Sequence, residues 1–252
     1  MFSMLLLLSV FWLVPFLQIL RVSLQDEMGR LSLIHYRNIL CASPIYLHML
    51  WNSVKLTLPV LIGNIVVSLL GAFGFTVLSF KGKRGLFFSY VVVMLLPLQV
   101  TLMPNYMIMS ILHLENSIAA IWVPGIFQPF GVVLCYLQMR LVSGEYLEAA
   151  RIDGAGWKEL FFFIYLPMVK SAVSVVLMLN VIDYWNLIDQ AVIFIREASD
   201  YPLSVFLARV NESSRGVSAA AAVYYSLPIL ATLLYGQKAL KQGFGIFGGA
   251  ER

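Results

Sequence analysis

The side chains most capable of chemistry cluster in one charged stretch, Glu145 to Pro167, which reads EYLEAARIDGAGWKELFFFIYLP. Glu145, Glu148 and Asp153 carry carboxylates of the kind that exchange protons with substrates in hydrolases. They lie close together in sequence, and nothing around them predicts a pocket. A solvated or partner-docking role is therefore favoured over acid–base catalysis.

A second polar set falls within or beside apolar segments. Carboxylates and amides bind hydroxyl groups, an aromatic ring can stack on a pyranose face, and ionisable groups in a membrane span usually face a cavity or pathway. This pattern predicts a sugar pathway, and Gln99 is its weakest member. The alternative is that the fifth segment ends early and its polar residues face the outer water. The set comprises Gln99, Asp183, Tyr184, Trp185, Asn186 and Gln190.

Other reactive residue types form no recognisable site. The three histidines, His35, His48 and His113, have no metal-ligand spacing, and Cys41 and Cys135 resemble neither a metal site nor a redox pair. The sequence contains no GxxxxGK[ST] phosphate loop. We therefore predict no catalytic, metal or cofactor site in this chain.

Composition places these residues in a membrane protein. The 252-residue chain is 60% hydrophobic and only 12% charged, with a mean hydropathy of +0.85. Soluble domains are about 45–50% apolar and about 25% charged. The net charge of +4 is small and its basic residues are scattered, which argues against nucleic-acid binding and for contact with membrane lipid.

The elements that must position the polar groups are membrane helices. A span needs about 20 mostly apolar residues, and six segments qualify, so we predict a single all-α polytopic domain over residues 1–252. The first segment lacks the features of a cleaved signal peptide and is expected to be retained, with a short cytoplasmic leader missing before it. The segments are roughly 2–20, 55–80, 86–103, 118–137, 169–190 and 218–236.

Basic residues predict the orientation of these spans. If both termini are cytoplasmic, 10 of the 17 lysines and arginines lie inside and 7 outside. The short loop KGKR at Lys81–Arg84 is the strongest indicator, because short loops follow the positive-inside rule best. This orientation puts the loop at 138–168 in the cytoplasm.

Periodicity predicts a helical hairpin in that loop. Apolar residues recur at i, i+3, i+4 and i+7, which is one stripe of an amphipathic helix, and the run from Glu145 to Ile152 is also helix-compatible. Asp153 and Gly154 form a turn dipeptide between the two helices. On periodicity alone, a membrane-surface hairpin and a docking element are equally good interpretations. The stripe consists of Trp157, Leu160, Phe161 and Ile164.

The hairpin resembles the EAA signature of ABC importer permeases. Glu148-Ala149-Ala150, Gly154, Ile164 and Leu166-Pro167 meet every signature position at the right spacing. The string EAARIDGA is similar to the carbohydrate branch, which includes the second permease subunits of maltose and glycerol-phosphate importers. The resemblance extends to LPLQVTLMP (96–104), YWN (184–186), YPLSVFL (201–207) and the tail, where GGAER stands in place of the family's GAVKG.

The resemblance implies a function and a set of partners. The hairpin would be a coupling helix that docks in an ATPase subunit through Glu148, Ala149, Ala150, Gly154 and the Trp157–Ile164 stripe. Closure of the ATPases would switch the permease between inward-facing and outward-facing states. The implied partners are two ABC ATPase subunits that bind the ATP, a second permease subunit in a heterodimer, and an extracytoplasmic sugar-binding protein.

Two other functions are weaker. An ion-coupled secondary transporter is the main alternative, and it would have paired broken spans in two halves of the chain, which the sequence does not indicate. A membrane-embedded enzyme would need a nucleophile or metal set within a span, and the sequence offers none. We therefore predict a sugar permease subunit with no enzymatic activity of its own.

Overall fold

The computed structural model describes residues 2–26, 28–42, 44–209 and 215–248. Within these ranges the chain is helical, and its only strand-like pairing is an isolated bridge between Gln25 and Leu31. This confirms the predicted all-α class. The end of the tail, Gly249 to Arg252, lies outside the described residues. The α-helices are α1 (Phe2–Ser23), α2 (Ile34–Arg37), α3 (Pro44–Val77), α4 (Lys83–Met94), α5 (Leu98–Ile111), α6 (Ala119–Ile126), α7 (Pro129–Met139), α8 (Gly144–Ile152), α9 (Trp157–Glu159), α10 (Leu166–Met168), α11 (Lys170–Trp185), α12 (Asp189–Phe194), α13 (Leu203–Ala208) and α14 (Arg215–Gly248).

Helix length and hydropathy identify the membrane-spanning elements of the described chain. Three stretches are long and apolar enough to cross a bilayer without a sharp bend: Pro44–Val77, Ala119–Met139 and Arg215–Gln237. Two bent pairs, Lys83–Ile111 and Trp157–Trp185, raise this number to 5 if each pair is one span. Helix α1 adds a shorter apolar portion, Val10–Ser23. The chain is a multi-pass membrane protein, and the count of six spans stays a prediction.

The third span is not the straight helix expected at 86–103. Helix α4 ends at Met94, and α5 begins at Leu98 after a bend of 108°. Pro97 has an extended backbone, with φ −66° and ψ 146°. Proline lacks an N–H donor and disfavours helical geometry in the residue before it, so the apolar run divides at this point.

The fifth span also differs from the expected segment 169–190. Its helix, α11, ends at Trp185, and Asp189 begins a separate helix, α12. The structure therefore shows the alternative in which the helix of the fifth segment ends early: Asp183 lies in α11, Asn186 follows it, and Gln190 lies in α12. The start of α11 is broken too, because the chain bends by 68° between Met168 and Lys170.

The chain divides into two compact units, of which the second comprises residues 56–185 and 232–252. One core of this unit contains buried side chains from the C-terminal half of α3, from α7, from the segment after α9 and from the start of α11. Phe73 adds edge-on ring contacts, with centroids 5.1 Å from Phe161 and 5.4 Å from Tyr165. We call this set the α3–α7 core; its fully buried members are Ala72, Cys135, Met139, Val142, Leu160, Tyr165, Val169 and Ala172.

The first unit comprises residues 1–55 and 186–231. Asn52 and Ser53 on α3 hold the segment before α13: the Asn52 amide donates to the Ser199 carbonyl at 2.8 Å, and the Leu203 N–H donates to the Ser53 hydroxyl at 3.0 Å. A small core forms where Ile39 packs with Ala220 and Ala221. These contacts order the irregular connections of this unit.

The turn after α1 is organised by Asp26. Its Oδ1 accepts hydrogen bonds from the backbone N–H groups of Met28 and Arg30, both at 2.9 Å, and its Oδ2 accepts from Arg30 Nε at 3.3 Å. The backbone hydrogen bond from Arg30 lowers the pKa of the Asp26 carboxyl below its ordinary value of 3.8, with smaller contributions from Met28 and the Arg30 charge. The turn is therefore held by an ionised side chain.

We expect Asp26→Ala to speed amide hydrogen exchange at Met28 and Arg30, because both donors lose their acceptor. Since the folded pKa is lowered, the stabilisation is complete above pH 3.8 and is lost as the pH falls through the lowered value. Exchange read by mass spectrometry checks the substitution, and the mobility of a spin label at exposed Met28 checks the pH dependence. Ser32→Ala, which removes only a bond from the Ile34 N–H, is the control. Equal exchange rates in both variants would contradict the role of Asp26.

Candidate functional site

The segment at 138–168 forms a helix, a turn and a second helix, as the periodicity predicts. Helix α8 ends at Ile152, and Gly154 has a φ of +82°, a region that glycine occupies without strain. The Ala155 N–H donates to the Ala150 carbonyl at 2.9 Å and the Gly154 N–H to the Arg151 carbonyl at 3.1 Å, which closes the helix end. We call residues 144–168 the hairpin.

Helix α8 has an outward and an inward face. Four exposed residues lie at i, i+3, i+4 and i+7, and we call this set the outer face of α8. Leu147 and Ala150 on the other side pack against the α3–α7 core. Ile152 is 86% exposed, and Trp157 at the start of α9 is 55% exposed. The outer face consists of Glu145, Glu148, Ala149 and Ile152.

The predicted docking stripe largely faces inward. Leu160 is only 3% exposed and belongs to the α3–α7 core, Ile164 packs against that core, and Phe161 contacts Phe73. Of the stripe, only Trp157 presents its side chain to the outside. An amphipathic period identifies an apolar stripe but does not reveal which apolar surface covers it.

The polar residues of the predicted sugar pathway are dispersed. Gln99 is exposed on α5, and Asp183 is exposed near the end of α11. Asn186 follows α11 and accepts a hydrogen bond from the Tyr225 hydroxyl at 3.0 Å, while Gln190 is partly buried on α12. The structure does not place all of them on one helix face.

The two aromatic residues of this set are buried. Tyr184 is 3% exposed and Trp185 is 5% exposed. The Tyr184 hydroxyl hydrogen-bonds the Gln128 side chain, and a Cβ added at Gly125 would lie 2.7 Å from that hydroxyl. Since neither ring presents a face to the outside, the expected stacking on a sugar is not available in this structure.

A polar cluster centred on Asn64 was not predicted from the sequence. This residue is 1% exposed, and its Nδ2 donates to the carbonyls of Gly125 at 3.4 Å, Ile126 at 3.0 Å and Gln128 at 3.2 Å. Its Oδ1 accepts from Asn180 Nδ2 at 2.9 Å. We call these residues the Asn64 cluster, and it links α3, the α6–α7 junction and α11.

The helix break before Pro129 explains why such a cluster is needed, because α6 ends at Ile126 and α7 begins only at Pro129. A proline provides no N–H, so a carbonyl in the preceding turn loses its helical partner. In a bilayer, carbonyls freed in this way must be satisfied by neighbouring helices. The available signal was an asparagine inside an apolar segment together with a proline in a neighbouring one.

Comparisons with known proteins connect this architecture to a family. Residues 64–242 match the family model described as "Binding-protein-dependent transport system inner membrane component". The chain is 25% identical over 258 residues to the arabinooligosaccharides transport system permease protein AraQ of Bacillus subtilis (strain 168), covering 98% of this chain and 92% of that protein. It is 28% identical over 138 residues to the sn-glycerol-3-phosphate transport system permease protein UgpE of Yersinia enterocolitica, covering 55% of this chain and 49% of that protein.

Two solved structures share the fold. A bacterial ABC transporter involved in the import of the acidic polysaccharide alginate superposes with a TM-score of 0.80 at 21% identity, covering 94% of this chain and 95% of that one. A bacterial alginate ABC transporter in complex with an alginate pentasaccharide-bound periplasmic protein superposes with a TM-score of 0.70 at 14% identity, covering 93% and 92%.

The architecture is that of an ABC importer permease. Because the family model spans most of the chain, including the Asn64 cluster and the hairpin, this chain belongs to the family of inner membrane components of binding-protein-dependent transport systems. It is a transport subunit and not an enzyme. The transport systems of this family depend on a binding protein, as the family description states.

Membership in this family also decides against the secondary-transporter alternative. That alternative predicts paired broken spans in two halves of the chain, and the described chain contains two bent helix pairs, with breaks at 95–97 and at Val169. Bent spans alone therefore do not distinguish the two classes. The family match does.

Proposed function

We propose that this chain is the permease subunit of a carbohydrate importer, moving a sugar or oligosaccharide across the cytoplasmic membrane by ATP-driven alternating access. The single observation that carries this proposal is the similarity to AraQ over 98% of the chain. The EAA signature in the hairpin adds to this support, through the positions of Glu148 and Gly154.

The hairpin is the proposed coupling element, with its outer face as the docking surface. The outer face of α8 carries two carboxylates that can form charged contacts with a partner. It also carries the small Ala149 and the apolar Ile152, where a partner can approach the helix closely. Trp157 adds an aromatic anchor of the type enriched at binding hot spots. The inward-facing Leu160, Phe161 and Ile164 connect the docking surface to the permease core.

The proposed orientation has both termini in the cytoplasm. It is supported by the ten-to-seven distribution of basic residues and by the short KGKR loop before α4. In this orientation the hairpin lies on the side of the membrane where the ATPase binds.

The proposed sugar pathway retains the exposed polar members of the predicted set and leaves out Gln190, which is partly buried. Asp183 and Asn186 are exposed near the end of α11, and Gln99 is exposed on α5. Their carboxylate and amide groups can accept and donate hydrogen bonds to sugar hydroxyls. Tyr184 and Trp185 support the surrounding packing instead.

The test is ATP-dependent sugar uptake by proteoliposomes that contain the full transporter with its binding protein. We expect Gly154→Val to lower uptake at least tenfold, because a β-branched residue at φ +82° is strained and redirects α9. Gly144→Val is the matched control: neither glycine has an atom within 4 Å of an added Cβ, and only Gly154 has a positive φ. Retained uptake in Gly154→Val, or equal loss in the control, would contradict the coupling role. A transporter that takes up no sugar from a broad panel would contradict carbohydrate import.

A further inference from the structure

A basic groove lies in the second unit, at one end of its helices. It has a volume of about 630 Å³, within the range of about 300–1,000 Å³ that is usual for small-molecule sites. The C-terminal end of α3, the start of α4 and the end of α7 supply its walls. Its lining residues are Phe75, Thr76, Lys83, Arg84, Phe87, Phe88, Val91, Tyr136, Leu137 and Arg140.

Three cations line this groove, and no carboxylate does. Lys83 is the first residue of α4, and its Nζ donates to the Leu78 carbonyl at 2.8 Å. Arg140 follows α7 and lies over the Tyr136 ring, 5.9 Å from its centroid. Within the described parts of the chain, neither these two residues nor Arg84 forms an ion pair. The groove therefore has a strong excess of positive charge.

The rest of the groove is apolar and aromatic. Phe87 and Tyr136 pack with ring centroids 4.3 Å apart, and both contact Phe75. Phe88 is 67% exposed and Leu137 is 41% exposed, one turn or less from the cations. A site for a free anion needs no apolar and aromatic wall. An amphiphile fits both parts of the groove, because its charged head can lie against the cations and its hydrocarbon chains against the apolar wall.

We propose that the groove binds an anionic phospholipid. The headgroup phosphate lies against Arg84 and Arg140, and the acyl chains follow Phe87, Phe88 and Leu137. The cations lie at the ends of two membrane helices, which is where lipid headgroups are found. Basic pockets between transmembrane helices bind anionic headgroups for this reason. The inference depends on membrane embedding and not on the identity of the transported sugar.

The test is native mass spectrometry of the purified transporter complex, supplied with equal amounts of phosphatidylglycerol and phosphatidylcholine. We expect selective retention of phosphatidylglycerol on this subunit. The Arg84→Gln/Arg140→Gln variant should lower retention about 30-fold, since each cation near the membrane surface contributes about 1 kcal/mol. The variant K81Q/K170Q is the matched control, because it removes two exposed cations that do not line the groove. It should retain the lipid.

Several results would overturn the proposal. Equal loss in the control variant would assign retention to diffuse surface charge. Equal retention of phosphatidylcholine would show that the cations do not select the headgroup, and displacement by millimolar glycerol 3-phosphate would show a free-anion site. Retention by the isolated chain but not by the complex would show that the partner permease covers the groove. Sugar uptake, measured separately, keeps a failure here distinct from a failure of the transport function.

Discussion

Trp157→Ala is expected to release the permease from its ATPase. The Trp157 ring is 55% exposed immediately after the hairpin turn, and aromatic anchors of this kind contribute about 2 kcal/mol or more to an interface. That corresponds to about a 30-fold weaker complex. Co-purification of the ATPase with tagged permease, at equal permease levels, measures the effect.

Phe163→Ala is the matched control for this experiment. Phe163 is 78% exposed but lies beyond α9, in the part of the segment that leads into the membrane. It should leave ATPase association within about twofold, because exposed residues away from an interface rarely change it. A Trp157→Ala complex as stable as the wild type, or an equal loss in Phe163→Ala, would contradict docking through the hairpin.

Asn64→Leu is expected to destabilise the second unit by about 2–4 kcal/mol. Leucine has the same number and branching of side-chain heavy atoms as asparagine but donates no hydrogen bond, so three carbonyls lose a donor and Asn180 loses its acceptor. Hydrogen bonds between membrane helices contribute about 0.6–1.7 kcal/mol each, and unsatisfied buried groups add to the cost. Unfolding in mixed micelles of increasing denaturing detergent measures the change.

A double-mutant cycle with Asn180→Leu tests the cluster directly. If Asn64 and Asn180 act together, the double variant loses less free energy of unfolding than the sum of the two single variants. Gln99→Leu, at an exposed position on α5, is the control and should change the free energy by less than about 0.5 kcal/mol. Strict additivity would contradict the interaction between the two amides.

The sequence predicts the helical class and the hairpin because these depend on local signals. Composition alone requires membrane helices, and Gly154 marks its turn by the chemistry of one residue. The resemblance to ABC importer permeases, carried by Glu148 to Pro167, is confirmed by the family match. The role of this stretch in docking remains a prediction.

The features that sequence could not supply depend on which surfaces meet. From sequence alone, Leu160 is equally suited to a partner's groove and to the chain's own core. Only the fold shows that it lies in the core. Asn64 can link the helices only because the neighbouring α6–α7 junction presents three carbonyls to its amide. The break at 95–97 was signalled by Pro97, but prolines also occur inside unbroken helices such as α3, at Pro59.

The inward packing of the hairpin has a mechanical consequence. Protein interiors are packed as densely as organic crystals and compress very little. Because Leu160 and Phe161 pack among side chains of α3 and α7, a displacement of α8 cannot be taken up by bending of a flexible connection. With the coupling role proposed above, a displacement of the outer face of α8 would therefore reach α3 and α7 with little loss.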